Sequence, residues 1–337
     1  MPDKISSKCI KVYKELGNNA INILKEMGLL NQDLRPRKEG NYLLIPIVNE
    51  KSLNEIGKHF PFEICNELFE EYKFKSKKLN AIIEGISSYL IIGKIAIINY
   101  KGNLEILRKA ASEIARINPN IESVYAKIDT EGEFRVPKLI LLYGKDNTLT
   151  LYKENGLIFY IDIKKVYFNP RLGGEHNRIA DMVKDGEFVL DMFTGVGGFA
   201  LNIAKKRISR VIGVDLNPYA ISLASLNAKI NKKTLKGETF FIRSDSMNLD
   251  NIIKTKFDRI IMNHPTGSLS FLRAACNLIK NQGNIHLYTL LDNKKQNLNI
   301  ILDQLKVNCN YSFEISQVRR VLDYSPKQSI YEINIKI

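Results

Sequence analysis

Four short stretches in the second half of the chain carry residue types suited to holding a nucleoside-like ligand and acting on a polar ring. The first is Phe188-Val-Leu-Asp191-Met-Phe193-Thr-Gly195-Val-Gly197-Gly198-Phe-Ala200, an apolar run that passes into a glycine-rich turn and then into helical spacing. Glycines at 195, 197 and 198 let the backbone bend tightly and approach a ligand where a Cβ would intrude. The second, Val211-Ile-Gly-Val-Asp215, ends in an acid that can accept both ribose hydroxyls of an adenosine. The third ends at Asp245, and the fourth ends in Met262-Asn263-His264-Pro265. Ligands of open parallel sheets bind beyond the carboxyl ends of the strands, so these residues are expected around one crevice, with Asn263 over it.

The glycine turn alone leaves two ligands open, because Gly195-x-Gly197-x-x-Ala200 also satisfies the dinucleotide fingerprint. Asp191, four residues before the first glycine, could meet an ammonium group, and Asp245 adds a second acceptor. S-adenosylmethionine has an amino-acid tail and an adenine amine that can use such acceptors, whereas the pyrophosphate of NAD would be repelled by them. The acids therefore favour a methyltransferase over an NAD-dependent oxidoreductase, which stays as the competing class. Turn or helix capping would also explain an acid at a strand end, more readily for Asp245 than for Asp191. The Asn263-x-Pro265 spacing resembles the Asn-Pro-Pro loops of methyltransferases that act on planar nitrogen, where an acceptor orients the base and proline stiffens the approach.

The elements that must position these residues alternate strand and helix from Asn169 onward, as in a doubly wound, mostly parallel sheet. Strands are predicted over 188–193, 210–215, 239–244, 257–263 and 284–291, followed by a closing antiparallel pair over 312–321 and 330–337. Two smaller α/β or α+β domains precede this one. Residues 1–72 read as strand, helix, strand, then an amphipathic segment over 61–72. After the basic run 73–78, residues 73–168 read as a mostly antiparallel sheet with one helix, 104–117. The division expected is thus 1–72, 73–168 and 169–337.

With 337 residues the chain can bury two or three cores, and 50 Lys and Arg against 36 Asp and Glu leave a net charge of +14. Such a charge suits a polyanionic partner. Cys9, Cys65, Cys276 and Cys309 stand singly, without zinc spacing, and read as reduced, mostly buried thiols. The most apolar stretch, 82–100, is broken by Glu84 and Lys94, so a cytoplasmic protein that does not span a membrane is expected.

Taken together the motifs resemble the archaeal and eukaryal type of tRNA (guanine-N1)-methyltransferase, which acts on the guanosine 3′ of the anticodon, position 37. The resemblance runs nearly the whole chain: Cys9-Ile-Lys-Val, Gly28-Leu-Leu-Asn, Glu39-Gly-Asn-Tyr-Leu-Leu-Ile-Pro46, Phe134-Arg135-Val136, Tyr167-Phe-Asn-Pro-Arg-Leu-Gly-Gly-Glu175, the glycine turn, Asp215-Leu216-Asn-Pro218 and Met262-Asn-His-Pro265. It implies a monomer that uses S-adenosylmethionine aided by Mg²⁺. It also implies an N-terminal module on the tRNA outer corner, with the other two domains gripping the anticodon arm. Phe193, Leu216, Ser246 and Pro265 join Asp191, Gly195, Gly197, Asp215, Asp245 and Asn263 as implied cofactor contacts.

N1 of neutral guanine carries a hydrogen, so its methylation needs a base, and charge then moves onto O6. The resemblance assigns the base to Glu175 and the O6 donor to Arg135, with Asn263 on the guanine edge and Tyr167 lining the target pocket, into which the base is flipped. This chain departs from its relatives at His176, where Arg is common and contact with the cofactor's carboxylate is expected, and at His264, where Leu is usual. The second change lies beside the target pocket and is compatible with an enzyme that also methylates a carbon of a wyosine precursor at the same position.

Overall fold

The computed structural model describes residues 4–31, 34–50, 53–57, 59–70, 89–99, 103–132, 136–292, 298–309 and 311–337. Arg135, Phe134 and the basic run 73–78 lie outside the described residues. The chain forms two compact units, Met1–Gly85 and Ile86–Ile337.

In the first unit, β1 (Lys4–Tyr13) lies between β3 (Tyr42–Pro46) and β4 (Glu63–Glu70), with β2 (Arg37–Glu39) on the edge. The helix α1 (Gly17–Glu26) buries Ala20 and Leu24 against Ile10, Val12 and Ile45 of this sheet, and the short α2 (Leu53–Ile56) adds Ile56. The segment read as amphipathic contains β4, whose antiparallel register sets Cys65 opposite Cys9. These two sulfurs are joined as a disulfide. The expectation of isolated thiols is corrected here, because strand register brings together residues 56 apart in sequence.

The second unit opens with a four-stranded sheet of β5 (Tyr89–Ile92), β6 (Ile95–Asn99), β7 (Ser123–Glu131) and β8 (Val136–Gly144), in that order. Its outer pairs are antiparallel and β6 and β7 are parallel, because α3 (Leu104–Ile117) carries the chain back between them. Asn103 starts α3 by accepting the Glu105 amide at 2.7 Å, and Leu107, Ala110, Ala111 and Ile114 form its buried stripe. The strands β9 (Leu149–Glu154) and β10 (Leu157–Asp162) do not extend this sheet as expected but form a separate hairpin.

That hairpin is held by the helix α6 (Pro218–Asn231). Asn231 accepts the Ile158 amide at 3.0 Å and donates to the Ile158 carbonyl at 2.6 Å; Asn227 does the same for Tyr160 at 2.7 and 3.2 Å. Two side-chain amides, one helical turn apart, thus supply to β10 the pairing that a neighbouring strand would give.

The large sheet follows the order β13 (Glu238–Arg243), β12 (Arg210–Asp215), β11 (Phe188–Asp191), β14 (Phe257–Met262), β15 (Ile279–Asp292), β17 (Gln328–Lys336), β16 (Glu314–Asp323). The first five are parallel, and β17 runs antiparallel to both its neighbours, which gives the closing pair expected. Val189, Leu190, Ile260, Ile261, Ile285 and Leu287 are fully buried, as strands covered on both faces require. The remaining helices are α4 (Gly173–Met182), α5 (Gly198–Lys206), α7 (Leu249–Ile252), α8 (Leu272–Leu278) and α9 (Leu298–Asn308). A second disulfide joins Cys276 of α8 to Cys309, just after α9.

Candidate active site

A cavity of about 560 Å³ opens at the carboxyl ends of β11, β12 and β14, where the strand-end residues were expected to converge. Its walls include Phe193, Asp215, Leu216, Asp245, Ser246, Asn263 and Pro265, with Tyr167 at the side. The loop after β14 is tied to the sheet: the Pro265 carbonyl accepts the Leu290 amide at 3.2 Å, and Ser268 donates to the Tyr288 carbonyl at 2.8 Å. Asn263 is therefore carried on a braced segment.

The glycine turn is shaped as its composition requires. Gly197 sits at φ 92°, ψ 25°, a left-handed conformation that a side chain would strain, and it starts α5. Asp215 links this turn to β12, accepting the Gly195 amide at 2.8 Å through one carboxylate oxygen and the Asn217 amide at 2.9 Å through the other. Asn217 in turn accepts the Tyr219 amide at 2.9 Å at the start of α6 and donates to the Lys165 carbonyl at 2.8 Å, steadying the approach to Tyr167. Asp245 accepts the Met247 amide at 2.8 Å, so it does cap a turn, and it also faces the cavity. Ser246 donates to the Met192 carbonyl at 2.6 Å and joins the ends of β13 and β11.

Gly195, Gly197 and Asp191 are not on the cavity wall. Asp191 is fully buried, and the donors that bear on its carboxyl are Thr194 and the amides of Phe193 and Ala200. Burial pushes its carboxyl up to about 7, with the Asp215 charge adding to the rise; Thr194 and the amides of Phe193 and Ala200 temper it. Asp215 is raised as well, again mainly by burial. A fully buried acid beneath a glycine turn, with the Asp215 charge acting on it, fits a ligand that brings a cation and amine or hydroxyl donors, and it opposes a pyrophosphate.

His176 is packed inside the fold. Its Nδ1 is 2.7 Å from Glu154 Oε1, its ring meets Phe199 edge-on at 4.5 Å, and the residue is 5 % exposed and off the cavity wall. Gly198 makes this possible, since a Cβ there would stand 2.6 Å from the imidazole. Asn202 also donates to Glu154, at 3.0 Å, which closes the cluster.

Glu175, assigned as the base by the resemblance, is buried and stands off the cavity wall. Its Oε1 accepts from Arg178 at 2.7 Å and from the Tyr288 hydroxyl at 2.6 Å; its Oε2 accepts from Arg178 at 3.0 Å and from Arg319. Burial opposes its ionisation, yet the donors from Arg178 and Tyr288 and the charge of Arg319 hold its carboxyl below the usual range. Beyond Arg178 the network runs to Glu332 at 3.1 Å, then through His286 at 2.7 Å and Arg259 at 2.6 Å to Glu187 at 2.8 Å. His286 is held neutral mainly by burial, so it can bridge Arg259 and Glu332.

Sequence reasoning missed two parts of the wall. One comes from Leu90, Ile92, Ile97 and Lys127 of the four-stranded sheet; the other from Leu322, Tyr324 and Ile330 of the closing hairpin. Neither contains a motif, and strand pairing alone brings them here. His264, flagged as a departure, does line the cavity, its ring 5.0 Å from Phe193, which in turn meets Phe271 at 4.8 Å.

A parallel core closed by an antiparallel hairpin, with a glycine turn linked to the acid ending the next strand, is the framework of a class I, S-adenosylmethionine-dependent methyltransferase. Within that class the chain belongs to the TRM5/TYW2 methyltransferase family, whose domain description matches residues 150–314, while a tRNA methyltransferase 5 N-terminal domain matches 9–52 and a TYW2 N-terminal domain 76–148. The chain is 36% identical over 345 residues to the tRNA (guanine(37)-N(1))-methyltransferase Trm5b of Methanocaldococcus jannaschii, covering 98% of each. It is 32% identical to the tRNA (guanine(37)-N(1))/4-demethylwyosine(37)-methyltransferase Taw22 of Nanoarchaeum equitans, covering 73% of this chain and all of that one. Among solved structures, an archaeal Trm5 in complex with tRNALeu superposes with a TM-score of 0.68 at 33% identity, covering 98% and 99% of the two chains.

Proposed function

We propose that this protein transfers a methyl group from S-adenosylmethionine to N1 of guanosine 37 in tRNA. The observation that carries this reading is the whole-length likeness to a guanine-37 enzyme, and a cavity at the strand ends lined by Asp215, Asp245 and Asn263 supports it. When bound, S-adenosylmethionine supplies an electrophilic methyl group on a sulfonium. Asp215 and Asp245 would hold its hydroxyls and amine, the left-handed turn at Gly197 would let the backbone approach it, and the buried Asp191 would balance its ammonium.

Asn263 and Pro265 would hold the guanine edge, Tyr167, 51 % exposed, would cover the flipped base, and Arg135 would donate to O6 as charge develops there. Glu175 takes the N1 hydrogen, and the freed nitrogen pair accepts the methyl. The division 1–72, 73–168 and 169–337 remains our reading of labour on the tRNA: the first part on the outer corner, the others on the anticodon arm, in a monomer that works in the cytoplasm. Among the described residues no cluster of three His, Cys, Asp or Glu offers a resident metal site, so no step is routed through Mg²⁺.

Glu175→Gln is expected to slow single-turnover methyl transfer on the order of 10²-fold or more while leaving cofactor affinity unchanged, because the lost group handles a proton. Nucleoside analysis of the product should give 1-methylguanosine at position 37; methyl on another nucleotide defeats the assignment. A second reading, action also on 4-demethylwyosine, is favoured by His264 on the cavity wall and by the likeness to the two-substrate Taw22. Presenting both tRNAs to the protein separates the two readings.

A further inference from the structure

Glu175 is saturated. A carboxylate has about four lone-pair positions, and Arg178, Tyr288 and Arg319 fill them with two donors on each oxygen. A carboxylate in that condition cannot take a hydrogen from a purine until one donor withdraws. The three partners are not equally free to leave. Tyr288 is fully buried on β15, and Arg178 lies three residues on in the same helix, binds Glu175 twice and also pairs with Glu332 at 3.1 Å. Arg319 makes one contact, has the most exposed side chain of the three at 33 %, and comes from β16, the outermost strand of the sheet. Three residues further along β16, Leu322 lines the cavity, so the same strand touches both places.

We propose that Arg319 is the exchangeable partner of Glu175: a positioning residue that holds the carboxylate in place and gives up its oxygen when the target guanine presents the N1 hydrogen. This rests on the reading of Glu175 as the base. In the exchange the N1 hydrogen takes the site that Arg319 leaves on Oε2, the proton passes to that oxygen, and the nitrogen pair forms the new bond to the methyl carbon as the carbon–sulfur bond breaks, its electron pair leaving with sulfur in S-adenosylhomocysteine. Arg178 and Tyr288 keep the carboxylate aimed throughout.

The groups that set the proton affinity of Glu175 are Arg178 on α4, Tyr288 on β15, Arg319 on β16 and, behind them, Glu332 on β17 with His286. Replacing Arg319 by methionine removes a cation and keeps the bulk, so the carboxyl becomes a stronger base that is protonated at higher pH. Single-turnover rates of the full chain with tRNA and S-adenosylmethionine, followed across pH, are the test. For Arg319→Met the acid limb should move up by about one pH unit, about a tenfold loss below the limb, while the plateau above it holds or rises. Arg319→Lys should return the limb toward its original position. A uniform loss at every pH with the limb unmoved, or a loss confined to tRNA affinity, overturns the proposal. Full activity in Glu175→Gln would instead defeat the assignment of the base, whatever Arg319 does.

Discussion

Asp191 carries the most direct consequence at the scale of single residues. Its native carboxyl is raised to about 7 from an ordinary 3.8, so between those values the folded protein holds a proton that the unfolded chain has released. Stability therefore falls as pH rises through that window, in proportion to the extra proton bound by the native state. Melting temperatures of the ligand-free protein should decline from about pH 4 to about pH 7, and Asp191→Asn, which stays neutral, should flatten the slope. A variant with the slope of the parent would show that Asp191 is not the group responsible. The places of Asp215, Asp245 and Asn263 on the cavity wall were readable in advance because each follows the end of a strand. The surroundings of Glu175 and His176 were not: Arg319 lies 144 residues beyond Glu175, and Glu154 lies 22 before His176, distances at which local spacing carries no signal.

Among the elements, the β9–β10 hairpin shows where reading by pattern stops. Its alternation announces strands, with Leu157, Phe159 and Ile161 all buried, but alternation reports that a face is covered and not by what. Its partner is a helix whose polar positions, Asn227 and Asn231, look in sequence like ordinary exposed residues and are 0 % and 4 % exposed. Replacing either by alanine strips an amide and a carbonyl of β10 of their partners and should cost about 1–3 kcal/mol per orphaned group. Faster hydrogen exchange at Ile158 and Tyr160 would locate that loss; unchanged exchange would mean the hairpin is held by its apolar face alone. By contrast, the central strands β11, β12 and β14 were legible nearly to their ends, since burial on both faces leaves a mostly apolar run that few other elements produce.

On the scale of the whole molecule, the cavity is a joint product of three regions: the strand ends of the parallel core, the four-stranded sheet and the closing hairpin. A net charge of +14 gives this assembly a standing attraction for a polyanion, and salt should weaken it in step with the number of phosphates contacted. No helix among the described residues is long and apolar enough to cross a membrane. The two sulfur bridges, between residues 56 and 33 apart, add a dependence on oxidant that nothing in the spacing of four solitary cysteines announced. In the loop-entropy picture each is worth about 4 kcal/mol, and a reductant should lower the melting temperature with little change in the native spectrum. The gain belongs to the melted chain more than to the native one. Oxidised and reduced samples share one shape when cold and become different polymers when hot, one knotted into two rings and the other a free thread with far more ways to wander.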